Sequence, residues 1–267
     1  MVKNSQIAWR ASATDTLCPL KDSRALNLFK AYALEQYPKE AVGLILPADH
    51  FMPCPNLSTT PEENFCIDPT QLIDTPSGTL LIHSHPDGTV EPSLADMVGQ
   101  RDTGLLWGIV ALNQHAITDV IVFGEQLFTQ QLLERPFLHG IFDCYSLIRD
   151  FYAVEKKIFL PDFPRQRSWW EIEKYNLYER YFTDASFIEV DKASPLHRGD
   201  VLLMRVGRTT CINHGAIYLG EDCRLKEDRN AVSLPGMILH HVCDNLSRRE
   251  MLSEWQKRIA KVVRYEN

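Results

Sequence analysis

The sequence predicts an α/β (α+β) chain of two domains, the first spanning 1–130 and the second 131–267. Three observations predict it. The 267 residues are 45% hydrophobic and 10% aromatic, which suits one ordinary core and fits two small ones better. The first half alternates helical periodicity with short apolar strands, whereas the second opens with a helix and then runs through short strands parted by charged or Gly-containing turns. No repeat or low-complexity tract joins the halves, and the break falls near 124–139.

Each element has its own signal. Asp22 is placed to cap a helix running to about Tyr37, with Leu26, Phe29, Ala33 and Tyr37 on one face and Pro38 as its stop. A strand follows at 41–46, then an irregular Pro/Asn/Thr-rich stretch at 53–61, a strand around 65–68 and a stronger one at 79–85. A helix starts near Ser93, and strands at 105–112 and 119–123 close the first domain. In the second, 144–157 reads as a helix because Leu147, Ile148, Phe151, Tyr152 and Val154 share a broad apolar stripe. The aromatic segment after it, with Trp169, Trp170, Tyr175, Tyr178, Tyr181 and Phe182, reads as packing rather than a ligand platform. Antiparallel strands are expected at 200–206, 211–219 and 237–242.

Composition excludes several classes. Lys plus Arg total 28 against 35 Asp plus Glu, a formal charge of -7 with no basic cluster, so nucleic-acid binding is disfavoured. The first ten residues lack the apolar core of a signal peptide, and the longest apolar stretches, such as 105–112, fall far short of the ~18 residues of a membrane span. A soluble product without membrane insertion is expected. Seven cysteines with no C-x-x-C pair read as reduced thiols, neither a disulfide frame nor a cysteine zinc knuckle.

The segment 83–96 carries the first chemistry. His83 and His85 lie two apart on a strand, so both side chains leave one face with Cα atoms about 6.7 Å apart, close enough to share one ion. Asp96, in the first turn of a helix, supplies a third position, and an open fourth is what a catalytic zinc requires. The plain alternatives are that two nearby histidines are surface residues and that Ser93-x-x-Asp96 is a capping box; His-x-His alone favours them.

Glu40 followed by His83-Ser-His85-Pro, then Ser93 and Asp96, resembles the JAMM (MPN+) metalloprotease signature at every position over most of 20–124. The resemblance implies a JAMM-like α/β fold, with Zn2+ held by His83, His85 and Asp96, Glu40 as general base and Ser93 steadying the oxyanion. Glu35 is then a solvated helix charge.

Cys144 carries the second. At a helix start it meets the positive end of the helix dipole and unpaired amides, which favour thiolate and offer an oxyanion hole. A cysteine in apolar surroundings is also commonly a small buried hydrophobe, and a lone strand histidine is usually structural. Phe-Asp-Cys144 before a helix, Arg-Gly-Asp at 198–200 before a strand, His214 opening Gly-Ala-Ile-Tyr-Leu-Gly, and Ile-Leu-His240 together resemble the NlpC/P60 thiol peptidases, of papain-like α+β fold. The resemblance implies Cys144 as nucleophile, His214 as general base and His240 as its orienting group. His241, pointing to the opposite strand face, ranks lower. Tyr145 stands where that family usually has Ser, and Phe137 where an upstream Tyr often supports the oxyanion, which leaves that task to backbone amides helped by His139.

The two motifs in one chain, with the 160–171 insertion and the 240–249 run, resemble the tail assembly protein K family of lambda-like siphophages. That resemblance implies a tail-tip assembly factor with peptidoglycan endopeptidase activity, acting on stem peptides and meeting other tail-tip proteins. It is expected in the host cytoplasm during assembly and at the virion tail tip. The competing class is a structural component whose enzyme-like domains only dock.

Overall fold

The computed structural model describes residues 20, 23–114, 116–124, 127, 131–172 and 176–266. It is a mixed α+β chain that divides into two compact units, Met1–Val90 with Gly99–Leu127, and Glu91–Val98 with Phe128–Asn267. No described helix is long and apolar enough to cross a membrane.

The first unit starts with α1 (Arg24–Gln36), whose Ala25, Leu26, Phe29 and Ala33 are buried as the 3.6-residue period requires. Its cap is Ser23, whose hydroxyl accepts the Leu26 N–H at 3.0 Å; Asp22 lies outside the described residues. The strands β1 (Val42–Leu46), β2 (His50–Cys54), β3 (Leu80–His85), β4 (Leu106–Asn113) and β5 (Ala116–Phe123) form one sheet in the order β2-β1-β3-β4-β5. Only β3 and β4 run parallel, joined through α2 (Leu94–Thr103). Ile82 of β3 packs in the core beneath α1, so its alternate residues His83 and His85 leave the other face.

Two expectations fail locally. β2 occupies part of a stretch with no strand signal, because Pro53 stands opposite Gly43 at the edge, where a missing N–H costs nothing. No strand forms at 65–68. Asn56 instead accepts the Cys66 N–H at 3.1 Å and donates to the Asn64 carbonyl at 3.2 Å, while Asp68 caps a short 3-10 turn, Pro69–Leu72. Side-chain bonds have replaced the ladder.

The second unit opens its chemistry with α3 (Cys144–Phe151), which passes into a π-helical turn at Tyr152–Lys156. A 3-10 turn at Trp169–Glu171 and α4 (Leu177–Tyr181) follow. The sheet is wholly antiparallel: β6 (Phe187–Val190), β7 (Val201–Met204), β8 (His214–Tyr218), β9 (Met237–His240), β10 (Arg248–Met251) and β11 (Ile259–Tyr265), in the order β10-β9-β8-β7-β11-β6. Its core joins Leu147, Ile148 and Phe151 of α3 to Leu203, Ile217 and Leu239. A Cβ at Gly215 would lie 2.8 Å from Ile148 Cδ1 and 2.9 Å from the Tyr178 hydroxyl, so the absence of a side chain there lets α3 and α4 approach β8.

Candidate active site

In the first unit, β3 presents His83 and His85 from one face, both buried, with their Nε2 atoms 3.0 Å apart. His85 Nδ1 lies 3.1 Å from the Thr89 carbonyl. A carbonyl can only accept, so that nitrogen carries the proton and His85 Nε2 presents its lone pair. Phe65 and Trp107 close over His83, at ring-centroid distances of 4.7 and 5.7 Å. His83, His85 and Asp96 are all buried, the two histidines in the first unit and Asp96, at the start of α2, in the second. Ser93 and Asp96 form the capping box: the Ser93 N–H donates to Asp96 Oδ2 at 2.7 Å and the Asp96 N–H to Ser93 Oγ at 3.1 Å. Glu40 is buried just before β1, its carbonyl accepting from Asn56 at 2.9 Å. Two residues on, Val42 pairs with His83. Glu35 is exposed.

In the second unit, Asp143 caps α3, its Oδ1 accepting the Tyr145 and Ser146 N–H groups at 3.1 and 3.0 Å. Beneath it lies buried Arg165. Its Nε and one terminal nitrogen reach both Asp143 oxygens at 2.6 and 3.0 Å, and its other donors reach Asp162, Phe163, Gly140 and Ser146. Burial alone would raise the Asp143 carboxyl, but Arg165 overrides it and holds Asp143 well below the usual carboxylate range.

Cys144 and His214 line one cavity of about 260 Å³. The Tyr178 hydroxyl lies 3.2 Å from Cys144 Sγ. Contrary to the expectation from the helix end, the thiol is pushed up to about 11, first by burial and then by the Asp143 charge, which together outweigh the bonds from Tyr178 and Gly215. His214 is pushed down to about 3 by burial, then by His240 and His241. Thiol and imidazole are therefore both neutral at pH 7. The first-turn amides are also less available than expected, since Asp143 takes those of Tyr145 and Ser146.

His214 Nε2 lies 3.1 Å from His240 Nδ1. Ala216 stands opposite His240, so the sheet register puts both rings on one face. His241 turns the other way, its Nε2 3.0 Å from the Asn245 carbonyl and its ring 5.2 Å from Phe137. His139 lines the cavity, yet its Nε2 is 3.1 Å from the Arg165 carbonyl and its Nδ1 4.0 Å from Asp143, so neither nitrogen is aimed at an oxyanion. The aromatic segment read as packing also lines the cavity: Trp169, Trp170, Tyr178, Tyr181 and Phe182 form much of its wall, and Phe163 stacks on Tyr181 at 4.7 Å. Tyr175 lies outside the described residues. Tyr178, Arg165 and Glu250, which lies 3.3 Å from His240 Nε2, were not legible as site residues. The only signal was the density of aromatics before α4.

Residues 134–264 match the NlpC/P60 family. The chain is 31% identical over 253 residues to the tail tip assembly protein K of Escherichia phage N15, covering 91% of this chain and 95% of that protein. It is 34% identical over 187 residues to the tail tip assembly protein K of Escherichia phage lambda, covering 69% and 80%. A solution structure of a protein from Salinibacter ruber is 18% identical and covers 37% of this chain and 76% of that one, at a TM-score of 0.25 that carries no argument. With the N15 relative aligned over nearly its whole length, the chain belongs to the tail tip assembly protein K family.

Proposed function

We propose that this chain is a tail-tip assembly protein whose second unit is a thiol peptidase, hydrolysing peptide bonds in the stem peptides of peptidoglycan. The observation that carries this reading is Cys144 at the capped start of α3, lining one cavity with a His214 whose Nε2 is already engaged by His240. With both groups neutral, His214 takes the thiol proton as Sγ attacks the carbonyl carbon, then returns it to the departing amine. Water hydrolyses the resulting thioester. The Cys144 amide, which the Asp143 carboxylate does not take, is the first-turn donor for the oxyanion.

For the motif that runs from Glu40 through His83 and His85 to Ser93 and Asp96 we propose a JAMM-type peptidase or isopeptidase site. The donor chemistry fits a Zn2+ ion: two buried imidazoles with Nε2 atoms 3.0 Å apart, His85 fixed from behind by Thr89, and a carboxylate as the third ligand that the motif spacing supplies. His83, His85 and Asp96 would hold the ion, which when bound supplies a Lewis acid that acidifies water and polarises a scissile carbonyl. Glu40 is the carboxylate assigned to move the proton, and Ser93, whose oxygen accepts from Asp96, keeps its O–H to donate to an oxyanion. Other tail-tip proteins are the proposed partners, and the host cytoplasm followed by the virion tail tip the proposed location.

Digestion of purified peptidoglycan by wild-type, Cys144→Ala and Glu40→Ala proteins, with and without chelator, tests the reading by mass spectrometry of released fragments. Products that persist in Glu40→Ala and in chelator but fall at least about 10³-fold in Cys144→Ala assign hydrolysis to the second unit. No products from any protein would support the second reading, a non-catalytic docking component.

A further inference from the structure

The orienting histidine has a partner of its own. His240 is buried, and its Nε2, outside strict hydrogen-bond alignment with any described group, lies 3.3 Å from Glu250 Oε2. Glu250 is positioned by the fold rather than by chance. On β10, Arg248 stands opposite His240 and Glu250 opposite Ile238, which puts Glu250 on the same sheet face as His240, one diagonal step away. Its Oε2 accepts the Trp255 indole N–H at 2.5 Å and its Oε1 the Arg248 Nε–H at 2.5 Å. The Trp255 ring stands edge-on to His240 at 4.5 Å and tilted to His214 at 5.9 Å, covering the pair. The carboxylate is thus held ionised by two donors and aimed along the line His240–His214.

From this geometry, and resting on the thiol-peptidase reading above, we infer that Glu250 is a positioning residue that fixes the tautomers of both histidines. An ionised carboxylate only accepts, so His240 carries its proton on Nε2. His240 Nδ1 is then a lone pair and must accept from His214, which puts the His214 proton on Nε2. Only Nδ1 of His214 remains, and it is the nitrogen able to take the Cys144 proton. During attack the proton moves from Sγ to His214 Nδ1. The positive charge that results is shared along His214 and His240 and stabilised by Glu250. The wrong tautomer at either ring would present an N–H to the thiol and disable the base, as happens when the acidic member of a serine triad is neutralised.

Two measurements test this. Long-range proton–nitrogen spectra of the full-length Cys144→Ala protein read the tautomers without turnover: Nε2–H is expected on both His214 and His240, and Nδ1–H on either overturns the proposal. Kinetics of Glu250→Gln should show kcat lower by about 10–100-fold with KM within about twofold, Glu250→Asp recovering part of the loss. The acid limb of kcat/KM should also move to lower pH, because of the titratable and charged groups that act on the two rings, Glu250, Arg248 and His241, only Glu250 favours the imidazolium. A purely structural Glu250 would lower the melting temperature and leave that limb in place. Wild-type kcat and pH profile in Glu250→Gln also overturn the proposal, whereas full hydrolysis by Cys144→Ala would instead overturn the peptidase reading on which it rests.

Discussion

Two pairs of imidazoles meet at nearly the same distance in this chain, His83 with His85 at 3.0 Å and His214 with His240 at 3.1 Å, and the atoms they join make them different devices. The first pair meets Nε2 to Nε2. His85 carries its proton on the far side, toward Thr89, so its Nε2 accepts from His83 Nε2–H, and a change of the His83 tautomer turns both Nε2 atoms into lone pairs that one cation could share. The second pair meets Nε2 to Nδ1, with a carboxylate beyond. That arrangement has a direction and suits movement of a proton. Separation alone says little about a histidine pair; what lies behind each ring decides its chemistry.

The strongest test of the contrast is metal binding. His83→Ala plus His85→Ala should abolish stoichiometric zinc uptake, read by elemental analysis or competition with a chromophoric chelator, while peptidoglycan hydrolysis by the second unit stays at wild-type level. Zinc retained by that variant would place the metal elsewhere.

A smaller effect is expected from Gly215→Ala. The added methyl must displace Ile148 Cδ1 and the Tyr178 hydroxyl. Ile148 can give at its tip, but Tyr178 is a rigid ring and touches Cys144, so a loss of about 1–3 kcal/mol in denaturant unfolding is expected, with altered thiol reactivity. An unchanged midpoint would mean that α4 moves freely against β8.

The last effect is a slope, absent at neutral pH and growing only in acid. Burial depresses His214 to about 3 and His241 to about 4, against an unfolded value near 6.5. Both contribute stability that is fully present above about pH 6.5 and lost as pH falls toward their folded values, because the unfolded chain takes up the protons first. His214→Gln should therefore make the dependence of unfolding free energy on pH shallower by about one proton, about 1.4 kcal/mol per pH unit between pH 6 and 4. An unaltered slope would mean His214 titrates normally in the folded state.

What was legible in the sequence was local. Strand alternation put His83 and His85 on one face, the Ser93–Asp96 spacing announced a helix start, and the Asp143–Cys144 pair announced another, because each depends on residues one to three apart. Glu250 reaches His240 only through the register of β9 and β10, Arg165 reaches Asp143 across 22 positions, and Tyr178 reaches Cys144 across 34. No periodicity encodes such pairings. The failed strand at 65–68 has the same origin, since an Asn56 side chain ten positions away claims the Cys66 amide.

The Arg165–Asp143 pair has a consequence for how substrate enters. The segment carrying Arg165 and Phe163 forms part of the cavity wall and also supplies the counter-charge for a carboxylate that is 3% exposed. Lifting this segment away would strand that carboxylate without its counter-charge, so opening it costs far more than moving an ordinary surface loop. The wall and the first turn of α3 thus behave as one cooperative block in hydrogen exchange, and the stretch from Asp162 to Arg165 is a fixed jamb beside the entrance rather than a door.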